Sequence, residues 1–467
     1  MSIGVLTSAA AFDARRYLRN PVLVYVALAA PIAAYFMVPD ADAAYAVLTV
    51  NGEKPVLTAP VLGLELGVLT ATLLTPLAFI FLRAGPTRSR PWQITDVAPH
   101  GRALATLGRW GADTMALWLL LAALTAAGLI LGLFRLDGPI NIGQTIAALW
   151  LPAAPSLALI AAIRLFLGAR PMTRGWFGDV VFFILWIALL LTGIIGTSDP
   201  QTGQMTANPL ADAFGFTAPI IGAVDYPVTE VTIGGAANPG TAVRIEAWAS
   251  VSAPDYVAAR GVWLGLAAAV AIVAGLIWAP MKTRQPKART EGPAVAREEM
   301  SAIVFRAPHA LNPQSPDYLG VITGEIGHML KAKAWIAILA AAAIAGAALP
   351  FRTMAGPAIL LSLIFPLTQA SARWQNTTLD TLLGTLGPGR VQRALCLFCA
   401  SSIIALVVMS PALARMVYTQ NLDWLTHALF IIFAVPALII VMGMITRSAV
   451  TGRLLMLLAW YTYLSST

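Results

Sequence analysis

Long apolar segments separated by short polar ones make up almost the whole chain. Most are long enough to cross a hydrocarbon core of about 30 Å, and they are solidly apolar instead of alternating as barrel strands do. A helix satisfies its backbone hydrogen bonds within one segment, as hydrocarbon requires. We therefore predict an all-α, polytopic integral membrane protein with about 11–12 transmembrane helices in two repeated halves. The predicted spans lie near 22–38, 61–82, 114–134, 146–167, 180–195, 257–279, 334–349, 354–370, 394–413, 428–445 and 454–464.

Two long polar breaks interrupt this pattern. The break at 281–316 is read as a cytosolic basic linker between two membrane halves. The first half, 1–280, has an interfacial helix, six predicted spans and an external loop at 197–255, and the second, 317–467, has an interfacial helix and about five spans. The loop is acidic on balance, and its alternating stretches predict a small external cap with short strands at Val228–Ile233 and Ala242–Ile245.

Composition and charge support a membrane protein with a defined orientation. Hydrophobic residues make up 58% of the chain and charged ones 11%, whereas soluble proteins carry about a quarter charged residues. The net charge of +8 is concentrated in alternate loops, which places the N-terminus, the 83–109 loop, the linker and the 373–393 loop in the cytoplasm. We expect a multi-pass protein of the inner (cytoplasmic) membrane. No basic stripe alternates with aromatic residues, so nucleic acid is not an expected partner.

The two halves begin with similar stretches of sequence. Asp13 to Leu18 is spaced as Glu325 to Leu330, and a cation follows each leucine. In the first stretch, Phe12, Tyr17 and Leu18 can lie in the membrane interface while the arginines reach anionic headgroups. We predict two interfacial helices, whose charged residues are Asp13, Arg15, Arg16 and Arg19 in the first, and Glu325 and Lys331 in the second.

A second repeated segment follows the second span of each half. Each copy contains Trp-Gln, a Thr/Asp pair, then Pro and Arg. Internal repeats are common in transporters, where the substrate path lies between the halves. The repeated positions are Trp92, Asp96, Pro99 and Arg102 in the first copy, and Trp374, Thr378, Asp380, Pro388 and Arg390 in the second.

This combination resembles the permease subunits of ABC exporters of the type-2 membrane-domain class. In that family an interfacial helix ends in a basic, Asn-Pro-like step, which is similar to Arg16–Pro21, and a cytosolic Gly-Thr-Leu-Glu-x-Leu-Leu motif is followed by Pro and a basic residue. The stretch 378–383 with Pro388 and Arg390 is similar to that motif, although Trp-Gln replaces its preceding acidic residue. The resemblance implies that an ATPase subunit contacts the interfacial helices and the residues Trp92, Asp96, Pro99, Arg102, Arg109, Trp374, Thr378, Asp380, Pro388 and Arg390.

The sequence itself contains no ATP-binding motif. A Walker A loop needs lysine directly after glycine, and no lysine in this chain follows a glycine. We therefore expect a transport subunit that is not an enzyme and has no cofactor of its own, with ATP and magnesium bound by a separate ATPase chain. The resemblance favours export of a small amphipathic or lipid-like substrate across the cytoplasmic membrane, and it leaves room for further membrane or periplasmic components.

Two other functions are open on the sequence. An ion-coupled secondary transporter normally needs an ionisable group near the bilayer centre, and the best candidate is Glu65, which lies near the outer end of the second span. Arg164, near the inner end of the fourth span, can instead extend to the interface. A membrane-embedded glycosyltransferase would use Asp40 and Asp42 to hold a divalent cation against a lipid-linked diphosphate.

Overall fold

The computed structural model describes residues 3–40, 42–83, 85, 101–174, 176–195, 204–279, 318–331, 333–373, 390–420, 424–446, 452–453, 455–457 and 459–460. These residues are mostly helical, which confirms the all-α class. The first half contains α1 (Ile3–Leu18), α2 (Pro21–Leu28), α3 (Ala30–Met37), α4 (Ala59–Thr72), α5 (Thr75–Arg83), α6 (Arg102–Arg135), α7 (Ile142–Ala169), α8 (Trp176–Ile195), α9 (Thr217–Ile221), α10 (Ala247–Val251) and α11 (Pro254–Leu276). The second half contains α12 (Tyr318–Met329), α13 (Lys333–Ala348), α14 (Gly356–Arg373), α15 (Arg390–Tyr418), α16 (Leu425–Leu429) and α17 (Val435–Thr446).

The described helices are those of a multi-pass membrane protein. Six of them are long and apolar enough to cross a membrane, and the number rises to eight if each of two bent pairs is one span. This is fewer than the predicted 11–12, because the spans at 334–349 and 354–370 coincide with shorter apolar helices and 454–464 is described only in part. The six are α6, α7, α8, α11, α15 and the run from α16 to α17, and the bent pairs are α1 with α2–α3 and α4 with α5.

The elbow between α1 and α2 follows from local sequence. The Asn20 side chain accepts a hydrogen bond from the Val22 amide, and Pro21 occupies the first turn of α2, so both residues favour a helix start there. The chain bends by 62° at this point. Phe12 and Leu18 are exposed as predicted, but Tyr17 is fully buried. The prediction that Tyr17 lies in the membrane interface is therefore wrong, because its ring packs inside the bundle.

Glycines allow α4 to pack tightly against its neighbours. A Cβ atom on Gly63 would lie 2.2 Å from the backbone oxygen of Thr145, and one on Gly67 would lie 2.7 Å from the next turn of α7. On the other side of α4, the Leu66 side chain occupies the space above Gly128 of α6. Small residues four positions apart are typical of membrane helices whose backbones approach closely. Helices α4, α6 and α7 thus form the centre of the first half.

A small β structure joins the two predicted external loops of the first half. Strand β1 (Tyr45–Val50) pairs antiparallel with β3 (Val231–Ala237), and β2 (Lys54–Pro55) pairs in parallel with β4 (Ala242–Val243). Asn51, at the end of β1, accepts hydrogen bonds from the amides of Thr229 (2.9 Å) and Glu230 (3.1 Å). Two strands therefore form near the predicted positions of the 197–255 loop, although β3 begins three residues after Val228 and β4 covers only the first two residues of Ala242–Ile245. Their partners come from the loop after the first predicted span.

The described helices of the second half follow the same order as those of the first. Helix α12 packs on α15 as α1 packs on α6, and α14 packs on α17 as α4 packs on α7. Two π-helical segments occur only in this half among the described elements, at Phe351–Ala355 and Phe430–Ala434. Each lengthens a helix by one turn of wider geometry, which the apolar pattern does not reveal.

Candidate functional site

The candidate site lies where the basic residues of the first half gather, which we call the basic end. Helices α5, α7 and α11 end there, α6 and α8 begin there, and α1 packs on α6. The cations of the basic end are Arg83, Arg102, Arg109, Arg164 and Arg174.

Helix α1 is docked on the beginning of α6 by close packing and charge. A side chain at position 108 would not fit, because a Cβ atom on Gly108 would lie 2.6 Å from the backbone oxygen of Leu6. Asp13 is 4% exposed, and its carboxylate lies 3.6 Å from the Arg109 guanidinium and 3.2 Å from that of Arg16. The predicted interfacial helix α1 is therefore held against α6 by both close packing and an ion pair.

Deeper in the bundle, a buried group links α1, α6 and α7. The Tyr17 hydroxyl donates a 2.7 Å hydrogen bond to Asp113 Oδ1, and the Arg164 guanidinium lies 3.2 Å from Asp113 Oδ2. Tyr17 and Asp113 are 0% exposed and Arg164 is 6% exposed. The expectation that Arg164 extends to the interface is thus wrong, because it pairs with Asp113 inside the protein. A buried charge of either sign needs such a partner.

Arginines and one tryptophan tie the remaining helix ends together. The Arg102 and Arg174 guanidinium groups lie 4.7 and 5.6 Å from the Trp278 ring centre, within the range of cation–π attraction. Arg83 forms a 2.6 Å ion pair with Asp179 and donates to the Arg174 backbone oxygen. These non-covalent contacts therefore connect the ends of α5, α6, α7, α8 and α11 at the basic end.

The structure places several of the predicted contact residues. Arg102 is exposed on Trp278, and Arg109 pairs with Asp13. Arg15 and Arg19 are exposed on α1. Trp92, Asp96, Pro99, Trp374, Thr378, Asp380 and Pro388 lie outside the described residues, as does the Arg390 side chain at the start of α15.

The second predicted interfacial helix, α12, has a buried charge at a similar position. Glu325 on α12 is 4% exposed and Arg393 on α15 is 7% exposed, and these two helices pack together. Lys331 lies beyond the end of α12 and is exposed. Both predicted interfacial helices therefore bury one carboxylate on the side that faces a long helix.

An apolar cavity lies behind the basic end, where the two halves meet. Its volume is about 130 Å³, and its walls come from the first half except for Leu455. Two helix breaks border it, the one at Ala29 between α2 and α3 and the one at Leu74 between α4 and α5. Broken helices at the contact between repeated halves are typical of transporter substrate sites. The other lining residues include Val26, Ala33, Thr70, Phe81, Leu117, Leu124 and Leu157.

The residues of the two other candidate functions are also placed. Asp40 forms a bidentate contact with the Arg135 guanidinium, at 2.6 and 3.0 Å, so both of its oxygens are engaged. Asp42 is exposed, and the described residues contain no group of three or more His, Cys, Asp or Glu side chains placed to hold a metal ion. Glu65 is 4% exposed in the middle of α4.

Two features of the site were not predicted from the sequence, namely the buried partner of Arg164 and Trp278 just beyond the end of α11. Asp113 stands one residue before the predicted third span, and Arg164 lies near the end of the fourth. Consecutive spans run antiparallel, so these opposite charges fall at the same membrane depth. Their positions in the sequence could therefore have predicted the ion pair.

Comparison of the chain with protein-family models, with curated proteins and with solved structures gives no match.

Proposed function

We propose that the chain is the membrane permease of an ATP-driven ABC exporter that works with a separate ATPase subunit. One observation carries this proposal: α1 is docked on the projecting end of α6. Helix α6 has 34 residues and is about 51 Å long at 1.5 Å per residue. It exceeds the hydrocarbon core by roughly 20 Å. An ATPase that contacts α1 and the start of α6 would be able to tilt these two helices together as one rigid unit, which we call the lever.

The contacts at the basic end support a mechanical path from this lever into the bilayer. Asp13 and Arg109 join α1 to α6, and Asp113 joins α6 to Arg164 of α7. Leu157, two turns before Arg164 on α7, lines the apolar cavity. A tilt of the lever would therefore reach the cavity wall through side chains that are buried and paired. ATP and magnesium would be bound by the partner chain.

The cavity supports an apolar or amphipathic substrate. Ligand pockets usually measure about 300–1,000 Å³, so a cavity of about 130 Å³ has to widen before it accepts a complete substrate. The helix breaks at Ala29 and Leu74 are the points where its walls can move without losing regular helix hydrogen bonds. Transport by widening between two halves is the alternating-access scheme of other repeat-built transporters.

Charge reversal at the basic end tests the proposal. We expect Arg102→Glu to abolish substrate-stimulated ATP hydrolysis by the complex and transport, while membrane insertion stays unchanged. Arg170→Glu is the matched control, because Arg170 is also exposed near this end and its side chain forms no hydrogen bond or ion pair among the described residues. Arg390→Glu is the equivalent change in the second half. Normal transport by both Arg102→Glu and Arg390→Glu would contradict ATPase contact at these loops.

An ion-coupled carrier is the second candidate, and buried Glu65 favours it. An ionisable residue inside a membrane span is costly, so its presence calls for a function or a partner. Among the described residues, no basic side chain lies in ion-pair distance of Glu65. The Glu65→Gln variant distinguishes the two candidates when its transport is measured with and without a proton gradient. An ATP-driven permease with this substitution transports in both conditions, whereas a carrier that uses Glu65 transports in neither.

A further inference from the structure

A second cavity lies in the other half of the chain, at the elbow between α12 and α13. Its volume is about 380 Å³, which corresponds to roughly a dozen water molecules at about 30 Å³ each. The cavity is therefore large enough for a polar headgroup with its glycerol. Its walls come from the end of α12, the beginning of α13 and the last turns of α14, and the lining residues are His328, Met329, Lys331, Trp335, Pro366, Gln369 and Ala370.

The polar side of this cavity favours an anion. Lys331 carries three hydrogen-bond donors and a positive charge, Gln369 carries an amide donor, and His328 carries a ring N–H. All three are exposed, and no hydrogen bond or ion pair engages their side chains among the described residues. None of the lining residues is acidic. Donors and charge that have no partner among the described residues are available to a ligand.

The other side of the cavity is apolar and lies where the sequence predicts the membrane interface, at the beginning of α13. Trp335 stacks on Phe365 with ring centres 5.8 Å apart, and Met329 and Pro366 continue this wall. Tryptophan is enriched where a span meets the headgroup layer, and basic pockets between helices at that level suit lipid headgroups. The ligand that fits both sides has an anionic group joined to an apolar part.

The corresponding elbow of the first half is filled by protein. Met329 takes the place of Tyr17 in the repeated spacing, and Lys331 takes the place of Arg19. The Tyr17 ring stacks on Phe81 at 6.1 Å, and its hydroxyl is bonded to Asp113. Methionine supplies neither the ring nor the hydroxyl, so the second elbow keeps a space that the first does not.

We propose that this cavity binds the phosphate of an anionic phospholipid headgroup. Lys331 and His328 face the phosphate oxygens, Gln369 donates to them, and the glycerol and first acyl carbons lie against Trp335 and Met329. This role is independent of the transport function proposed above, since it concerns a lipid bound at the elbow and not the substrate between the halves.

Native mass spectrometry of the full-length protein in detergent tests the proposal with phosphatidylglycerol and phosphatidylcholine as probes. The wild type should retain phosphatidylglycerol in preference to phosphatidylcholine. Lys331→Ala should weaken phosphatidylglycerol binding about fivefold, the effect expected of one lysine beside an anionic headgroup. Lys331→Arg should restore it. Arg19→Ala removes an equally exposed charge from the filled elbow, so it removes only general attraction to anionic headgroups and should weaken phosphatidylglycerol binding less than Lys331→Ala does.

The remaining outcomes decide between sources of phosphate. If glycerol 3-phosphate binds the lipid-free protein with the same dependence on Lys331 and Gln369, the phosphate site stands and its ligand is soluble. If Lys331→Ala and Arg19→Ala weaken phosphatidylglycerol equally, general surface attraction explains the binding and the proposal is wrong. Unchanged binding by a Lys331→Ala/Gln369→Ala double variant would overturn it as well.

Discussion

Removal of the Asp113 carboxylate should strongly destabilise the folded chain. Asp113 is fully buried, and Arg164, 3.2 Å away, is only 6% exposed. Asp113→Ala leaves this guanidinium inside the protein without its counter-ion, a change that costs about 3–5 kcal/mol when a buried pair is broken from one side. The Tyr17 hydroxyl loses its acceptor in the same variant. Docking of α1 on the bundle should therefore weaken together with overall stability.

Two further variants separate the contributions of the pair and the hydroxyl. Tyr17→Phe removes one hydrogen bond to a charged group and should cost about 1.5–3 kcal/mol. Asp113→Leu combined with Arg164→Met removes both charges and leaves apolar side chains of similar size. Because no unpaired charge then remains buried, the double variant should recover most of the stability that Asp113→Ala loses.

Thermal and denaturant unfolding of the purified variants in one detergent measures these differences. The predicted order of stability is wild type, then Tyr17→Phe, then Asp113→Ala, with the double variant well above Asp113→Ala. The reasoning would be refuted if Asp113→Ala were as stable as Tyr17→Phe. It would also fail if the double variant lost as much stability as the single variants Asp113→Leu and Arg164→Met lose together, since additivity indicates residues that do not interact.

Three more changes test other parts of the account. Gly108→Leu should release α1 from α6 and abolish ATPase stimulation, because a Cβ there meets the α1 backbone at 2.6 Å, whereas Gly111→Leu has open space and should be neutral in the same assay. Gly63→Val should separate α4 from α7 and lower the melting temperature, while Gly265→Val, which also has open space, should not. Asp40→Ala should cost at most about 1 kcal/mol and keep activity, because Asp40 is 57% exposed in its ion pair; lost activity with intact folding would instead favour the metal-dependent enzyme.

Much of the helical framework could be predicted from the sequence because its signals are local. Solid apolar runs predict spans wherever they are long enough, and the Asn20–Pro21 step predicts the elbow between α1 and α2. The small strands after Val228 were also visible as alternating positions. In each of these cases, neighbouring residues along the chain determine the element.

The remaining features depend on contacts between distant residues. Strand β1 reads as a mostly apolar run, and its pairing with β3 joins segments on either side of six helices. Tyr17 looks like an interfacial aromatic until Asp113, 96 positions later, is placed beside it. The apolar cavity likewise arises from helices of both halves, so no single segment contains its signal.

Copurification of an ATPase tests the central claim most directly. The chain should be expressed with its neighbouring genes, purified by a tag on this subunit, and assayed for ATP hydrolysis with and without vanadate. The account predicts a stable complex with an ATP-binding subunit whose hydrolysis is vanadate-sensitive and depends on Arg102. Purification of the folded chain without an ATPase, in a preparation that transports substrate by an ion gradient alone, would contradict it.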